Sequence, residues 1–229
     1  MHLSVREAAH VLRLPENQVY RLIEDGQLPC YWVNDQARLN RTELLEWATA
    51  RRMPVSPELF ADDDDVKDLP TLAEALAAGG IHYLVVGADR ESVLRAVVAV
   101  LNLPAEVDRE TLLQLLVARE SAGSTAIGDG IAIPHVRQPI AVNGGGMASI
   151  ALCFLETPIE FGLTHGNVVH TLFSMVTPTV RRHLQLLAKL AAGLHDPAFN
   201  AAVLRRAPAD EILQEARRVS SSVLPPNSH

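Results

Sequence analysis

Four consecutive aspartates, Asp62 to Asp65, stand close behind Pro54, Ser56 and Pro57. Adjacent acids repel one another and proline supplies no backbone donor, so residues 54–68 are expected to form a linker rather than a helix or strand. A metal-binding reading of the four carboxylates ranks below that of a solvated linker. The chain is thereby divided into a short module, residues 1–53, and a longer one, residues 69–219, with a frayed tail at 220–229 that contains Pro225 and Pro226.

The short module reads as helical with one break. Ser4 and Glu7 have capping-box spacing. Ala8, Ala9, Val11 and Leu12 follow as a small apolar face, and Arg13-Leu14-Pro15 interrupts it. Pro15 suits the first turn of a second helix, with Val19, Leu22 and Ile23 as its apolar stripe. Asp25-Gly26 ends that helix. Tyr31-Trp32-Val33 reads as extended, Asn34-Asp35 as a turn, and a third helix runs from about Thr42 with Leu44, Leu45 and Trp47 facing inward.

The longer module alternates. Strands are expected at 81–86, 131–133, 147–154 and 168–176, and helices at 91–101, 108–120, 179–195 and 209–219. Strands interleaved with helices indicate an α/β domain. No internal repeat is visible.

The chemistry concentrates in Arg119-Glu120-Ser121-Ala122-Gly123-Ser124-Thr125-Ala126-Ile127-Gly128-Asp129-Gly130-Ile131-Ala132-Ile133-Pro134-His135. Gly123, Gly128 and Gly130 allow tight turns that bring amides close to a bound anion. Ser124 and Thr125 add hydroxyl donors, and Arg119 offers a planar charged fork suited to phosphate. His135 follows an apolar strand and a proline. A neutral imidazole can act as a nucleophile near pH 7. A P-loop is excluded because Asp129 stands where a lysine belongs after Gly128. A dinucleotide fingerprint fails because Ile133 stands at the third glycine position. His165 and His170 lack the helical spacing of a metal pair and read as structural.

This stretch resembles the signature of fructose/mannitol-type IIA domains of the bacterial phosphoenolpyruvate-dependent sugar phosphotransferase system, including the nitrogen-regulatory members: Arg-Glu, a Gly-Ser-Thr turn, Gly-x-Gly-Ile-Ala-Ile-Pro, then the phosphorylated histidine. The resemblance extends more loosely over residues 69–218. It implies a mixed β-sheet flanked by helices, the type 2 IIA fold. It also implies that His135 accepts a phosphoryl group on Nε2 from an HPr-like histidine phosphocarrier protein. Arg119 would lie beside the phosphoryl group, and His183 would pack against His135. No metal or other cofactor is required, because in-line positioning and charge stabilisation suffice. Ala126 departs from the glycine common in the family, and Val136 from the small or polar residues frequent there. The Gly144-Gly145-Gly146 run reads as a connector.

Residues 3–50 resemble the excisionase/MerR-like helix-turn-helix family through Leu3-Ser4-Val5-Arg6-Glu7-Ala8-Ala9, Val19 to Pro29, and Leu44-Leu45-Glu46-Trp47. The resemblance implies a small, mainly helical winged module. Its second helix would enter the major groove, and the Cys30–Asn40 ribbon would form a wing. Asn17 and Gln18 would then read base edges, with Arg21, Arg38 and Arg41 touching phosphate. Seven arginines in residues 1–53 are balanced by seven acids, a weak electrostatic basis for DNA binding. The alternative occupant is a protein partner or a second subunit, since related modules often work as dimers.

The formal charge of −7 gives no general pull toward nucleic acid or an anionic membrane. No apolar run reaches the ~18 residues that span a bilayer, and the first residues lack a signal-peptide layout. A cytoplasmic protein is expected. Cys30 and Cys153 read as reduced, buried thiols. The functional expectation is a regulatory phosphocarrier. The alternatives are a DNA-binding regulator with a IIA sensor domain, or a degenerate IIA-like domain used for protein contacts.

Overall fold

The computed structural model describes residues 2–33, 36–51, 53, 70–136, 148–162 and 168–222. The linker, the Asn34-Asp35 turn, the triple glycine, His165 and the last seven residues lie outside these. The chain forms two compact units that divide between Asp68 and Leu69.

In the first unit, strand β1 (His2–Ser4) leads directly into α1 (Val5–Leu12). Ser4 Oγ accepts the Glu7 N–H, and the Glu7 carboxylate accepts the Ser4 N–H in return, so the expected capping box forms. Arg13 ends the helix in a left-handed conformation at φ 52°. Pro15 is the residue before α2 (Glu16–Glu24) rather than its first helical residue, and Gly26, at φ 66°, reverses the chain after it. β2 (Tyr31–Val33) and β3 (Gln36–Asn40) pair antiparallel, with β1 on the far side of β3. Asn40 then caps α3 (Arg41–Ala50). Leu3, Val5, Ala8, Leu12, Val19, Leu28, Leu39, Leu44 and Leu45 form the small core. Leu22 and Ile23, expected beside Val19, are only half-buried.

The second unit is built on a five-stranded mixed sheet, ordered β4-β7-β8-β6-β5. Its strands are β4 (Ile81–Val85), β5 (Ala126–Gly128), β6 (Ile131–Ala132), β7 (Ser149–Glu160) and β8 (Val168–Val176). β7 and β8 pair antiparallel through the centre, β4 and β6 add parallel on either side, and β5 adds antiparallel to β6. β7 continues to Glu160, six residues past the expected end at Phe154. A register shift between Phe154 and Ile159 accommodates Pro158, which cannot donate to the ladder.

Helices cover both faces. α5 (Arg90–Val100) and α6 (Arg109–Ala122) pack Val93, Leu94, Val97, Leu112, Leu113 and Leu116 against Ala151, Cys153, Leu172 and Val176. The alternate residues of β7, Ile150, Leu152 and Phe154, point to the opposite face. There lie α4 (Leu72–Gly79), α7 (Val180–His195), α8 (Pro197–Leu204) and α9 (Ala209–Ser222). α9 extends through Ser222, past the expected end at Val219. Lys189 of α7 donates to the Pro70 carbonyl at 2.7 Å, fixing the chain where the unit begins.

Gly79 packs directly on the Ile150 backbone, and a Cβ there would overlap the Ile150 carbonyl. Gly79→Ala should therefore destabilise this unit by about 1–3 kcal/mol, the usual range for overpacking. Urea unfolding followed by far-UV circular dichroism measures it.

Candidate functional site

His135 lies just beyond β6, where its backbone makes an isolated parallel bridge to Met175 of β8. The residue is buried, with 3% of its surface exposed. Nδ1 lies 2.6 Å from the Ile133 carbonyl oxygen. A carbonyl can only accept, so Nδ1 carries a proton. In the neutral ring the lone pair then resides on Nε2. His183, in the first turn of α7, packs against this ring with centroids 4.9 Å apart and planes tilted by 39°. It too is 3% exposed. Its backbone N–H donates to the Thr179 carbonyl at 3.0 Å, and the Thr179 side chain caps the helix. The first turn of α7 holds no acid and contains Arg181 and Arg182. Cations at the positive end of a helix dipole are unfavourable unless an anion is near.

Arg119 lies in the last turn of α6 and donates from Nη1 to the Gly123 carbonyl at 2.8 Å. The Ser124 hydroxyl oxygen accepts the Ala126 N–H at 3.2 Å, a bond that leaves the hydroxyl hydrogen for another acceptor. Thr125 is placed differently from a simple donor. It is buried, its N–H donates to Glu120 Oε2 at 3.0 Å, and its hydroxyl donates to Glu120 Oε1. Glu120 is 1% exposed and was given no role in the sequence reading. Burial pushes its carboxyl above the usual value, while the Thr125 hydrogen bonds and the charges of Arg119 and His135 pull the other way. An acid at the end of an otherwise Leu-rich helix, five residues before a threonine, was the available signal.

The glycines divide into two kinds. Gly123 is extended at φ 164°, so its conformation is open to any residue. Gly128 and Gly130 have φ of 92° and 71°, with Asp129 between them at 49°. A Cβ on Gly130 would collide with the His170 ring. His170 Nδ1 bonds the Thr171 hydroxyl at 2.8 Å, and the backbone N–H groups of His170 and Thr171 both donate to the Gly130 carbonyl. Among the described residues no group of three or more His, Cys, Asp or Glu could hold a metal ion.

In the first unit, Asn17, Gln18, Tyr20, Arg21 and Glu24 are exposed on α2, where Val19 alone is buried. Arg38 donates to Gln36 within β3 at 2.7 Å. Arg38 and Arg41 both act on Glu7, whose pKa is lowered first by its Ser4 hydrogen bonds and then by these two charges. Arg6 stands 4.0 Å from Glu16. Tyr31 and Trp32 are exposed in the expected wing.

Residues 75–217 match the family model of the phosphoenolpyruvate-dependent sugar phosphotransferase system, EIIA 2, and the chain belongs to that family. Residues 3–52 match a helix-turn-helix domain model. The nitrogen regulatory protein of Pseudomonas aeruginosa is 36% identical over 148 residues, which cover 63% of this chain and 92% of that protein. The nitrogen regulatory protein of Escherichia coli is 35% identical over 118 residues, covering 50% of this chain and 67% of its own. The crystal structure of nitrogen regulatory protein IIA-Ntr from Neisseria meningitidis shares the fold, with a TM-score of 0.50 at 24% identity over 65% of this chain and 95% of that one. Among the described residues no helix is long and apolar enough to cross a membrane.

Burial, then the charge of Arg206, holds the His170 pKa below 6.5. A depressed value means that the folded state favours the neutral ring. The associated stability is present above pH 6.5 and is lost as pH falls through the folded value. His170→Asn removes that titration. The melting temperature of the wild type relative to the variant should fall between pH 7.5 and 5, as read by differential scanning calorimetry.

Proposed function

We propose that this chain is a regulatory phosphocarrier whose His135 accepts a phosphoryl group on Nε2 from an HPr-like histidine phosphocarrier protein. The observation that carries this reading is the 2.6 Å contact between His135 Nδ1 and the Ile133 carbonyl, which leaves the nucleophilic lone pair on Nε2. In the transfer, Nε2 forms a bond to phosphorus while the donor's N–P bond breaks and its electron pair returns to the donor ring. His135 keeps its Nδ1 proton, and the positive ring faces the Ile133 carbonyl. His183 supports the ring. Arg119 and the Ser124 hydroxyl stand as the charge-stabilising groups, with Thr125 shaping the turn that presents them. The pair of arginines opening α7 suits an anionic group at this end of the sheet.

Phosphorylation adds about two negative charges at one spot, and such a change alters docking. The regulatory sense of the reading comes from the nitrogen regulatory relatives and from the attached helix-turn-helix unit. Incubation with phosphoenolpyruvate, enzyme I and HPr, or their nitrogen-branch counterparts, should place an acid-labile, base-stable phosphate on the wild type and none on His135→Ala. Arg119→Gln should slow transfer about 10²-fold, comparable to loss of one preorganised donor. Absence of label with every donor pair would count against the carrier chemistry and favour a domain used for protein contacts.

A second reading, DNA binding by residues 1–53, is favoured by one observation: α2 leaves Asn17, Gln18 and Arg21 exposed together with Tyr20. With no net charge to spend, few phosphate contacts are available. For the full chain on a duplex recovered from a random pool, Arg21→Ala should flatten the slope of log affinity against log salt by about 0.9. Unchanged slope and affinity would remove α2 from the interface.

A further inference from the structure

Resting on the phosphocarrier reading, the least explained group in the second unit is Glu120. A carboxylate taken out of water costs several kcal/mol unless its oxygens are matched by donors. An apolar side chain would fill the same space without that cost. Both oxygens are matched here by a single residue: Thr125 gives its N–H to Oε2 and its O–H to Oε1. Two bonds from one carboxylate fix the backbone and the rotamer of Thr125 together.

The consequence runs along the hairpin of β5 and β6. The Thr125 carbonyl accepts the Ile133 N–H at 3.1 Å, next to the pairing of Ala126 with Ala132. The Ile133 carbonyl, on the far side of the same residue, accepts the His135 Nδ1 proton at 2.6 Å. Carboxylate, threonine, isoleucine peptide and imidazole thus form a continuous series of hydrogen bonds ending on the ring that reacts. The last bond decides which nitrogen carries the proton, and therefore which one can attack phosphorus.

We propose that Glu120 is a positioning residue for His135: by clamping Thr125 it fixes the Ile133 carbonyl, and that carbonyl holds the imidazole in the tautomer with its proton on Nδ1. Glu120 touches neither the phosphoryl group nor its donor. It acts through the hydrogen-bond series that runs by way of Thr125 and Ile133. A residue that only filled space would leave the ring's tautomer untouched on removal.

The test uses the full chain labelled with ¹⁵N-histidine. Two-bond ¹H–¹⁵N correlation spectra at neutral pH report the protonated nitrogen of each ring, and the His135 signal is identified by its loss in His135→Gln. Wild type should show a single Nδ1-protonated form. Glu120→Ala should show a mixture of tautomers at His135 with the other histidines unchanged. Glu120→Gln keeps an oxygen acceptor and should restore the single form.

Phosphoryl transfer to Glu120→Ala should slow by roughly 10–100-fold in maximal rate, with the half-saturating donor concentration unchanged. A wrong tautomer costs about 10⁴ in a serine-protease triad, and a mixture costs less. Thr125→Val keeps the N–H bond and removes the O–H bond. It is expected to show the same mixture in smaller proportion, and it decides the question if Glu120→Ala does not fold. A folded variant of either kind that keeps the wild-type tautomer overturns the proposal, whatever happens to the rate. Failure of the wild type to accept phosphate would instead count against the carrier reading, since the tautomer spectra need no phosphoryl donor.

Discussion

The antiparallel pairing of β7 with β8 is the interaction on which the second unit depends. β4 and β6 are added outward from these two, and β5 is added to β6. Ile150, Leu152, Cys153, Phe154, Leu172 and Phe173 are buried within the pair, so both helical layers pack on it. It also sets the site. His135 is bridged to Met175 near the end of β8, and α7, which brings His183, begins four residues after that strand ends. The two histidines are 48 positions apart in sequence, and both are placed by the last residues of one strand.

Capping residues made much of this legible. Ser4 with Glu7, Asp108, and Thr179 each mark a helix start because a side-chain oxygen there satisfies an otherwise unpaired amide. The same rule would have found α4, whose Thr71 and Glu74 form a further capping box. It would also have found α8, opened by Asp196 and Pro197. Asp196 serves both helices, closing α7 and capping α8. β7 runs beyond the expected end at Phe154, because a register shift between Phe154 and Ile159 absorbs Pro158 in the folded sheet. The chemically suggestive residues from Arg119 to His135 could be picked out by type. What they do to one another could not: the His135 tautomer depends on a backbone carbonyl, and the Thr125 hydroxyl is occupied by Glu120, for which the only trace in the sequence is an acid on a Leu-rich helix five residues earlier.

The two units solve the placement of charge in opposite ways. In the helix-turn-helix unit the charged groups are mostly exposed and offset one another at the surface. Arg6 faces Glu16, and Arg38 and Arg41 act on Glu7, so little electrostatic field is left over for a polyanion. In the IIA unit one carboxylate is sealed inside beside an arginine and a histidine, where the lower dielectric makes each interaction stronger. Surface charges of the first kind tune association and its salt dependence. The buried kind fixes geometry.

Helix α7 has a further consequence. Its first turn presents His183 to the His135 ring, and Lys189, six positions later, grips the Pro70 carbonyl at the start of the unit. At 1.5 Å per residue these two points are about 9 Å apart along one continuous helix. A segment that short behaves as a rigid strut. The His135 ring and the point where the unit begins are therefore held by the same piece of scaffold, through contacts that do not run through the sheet.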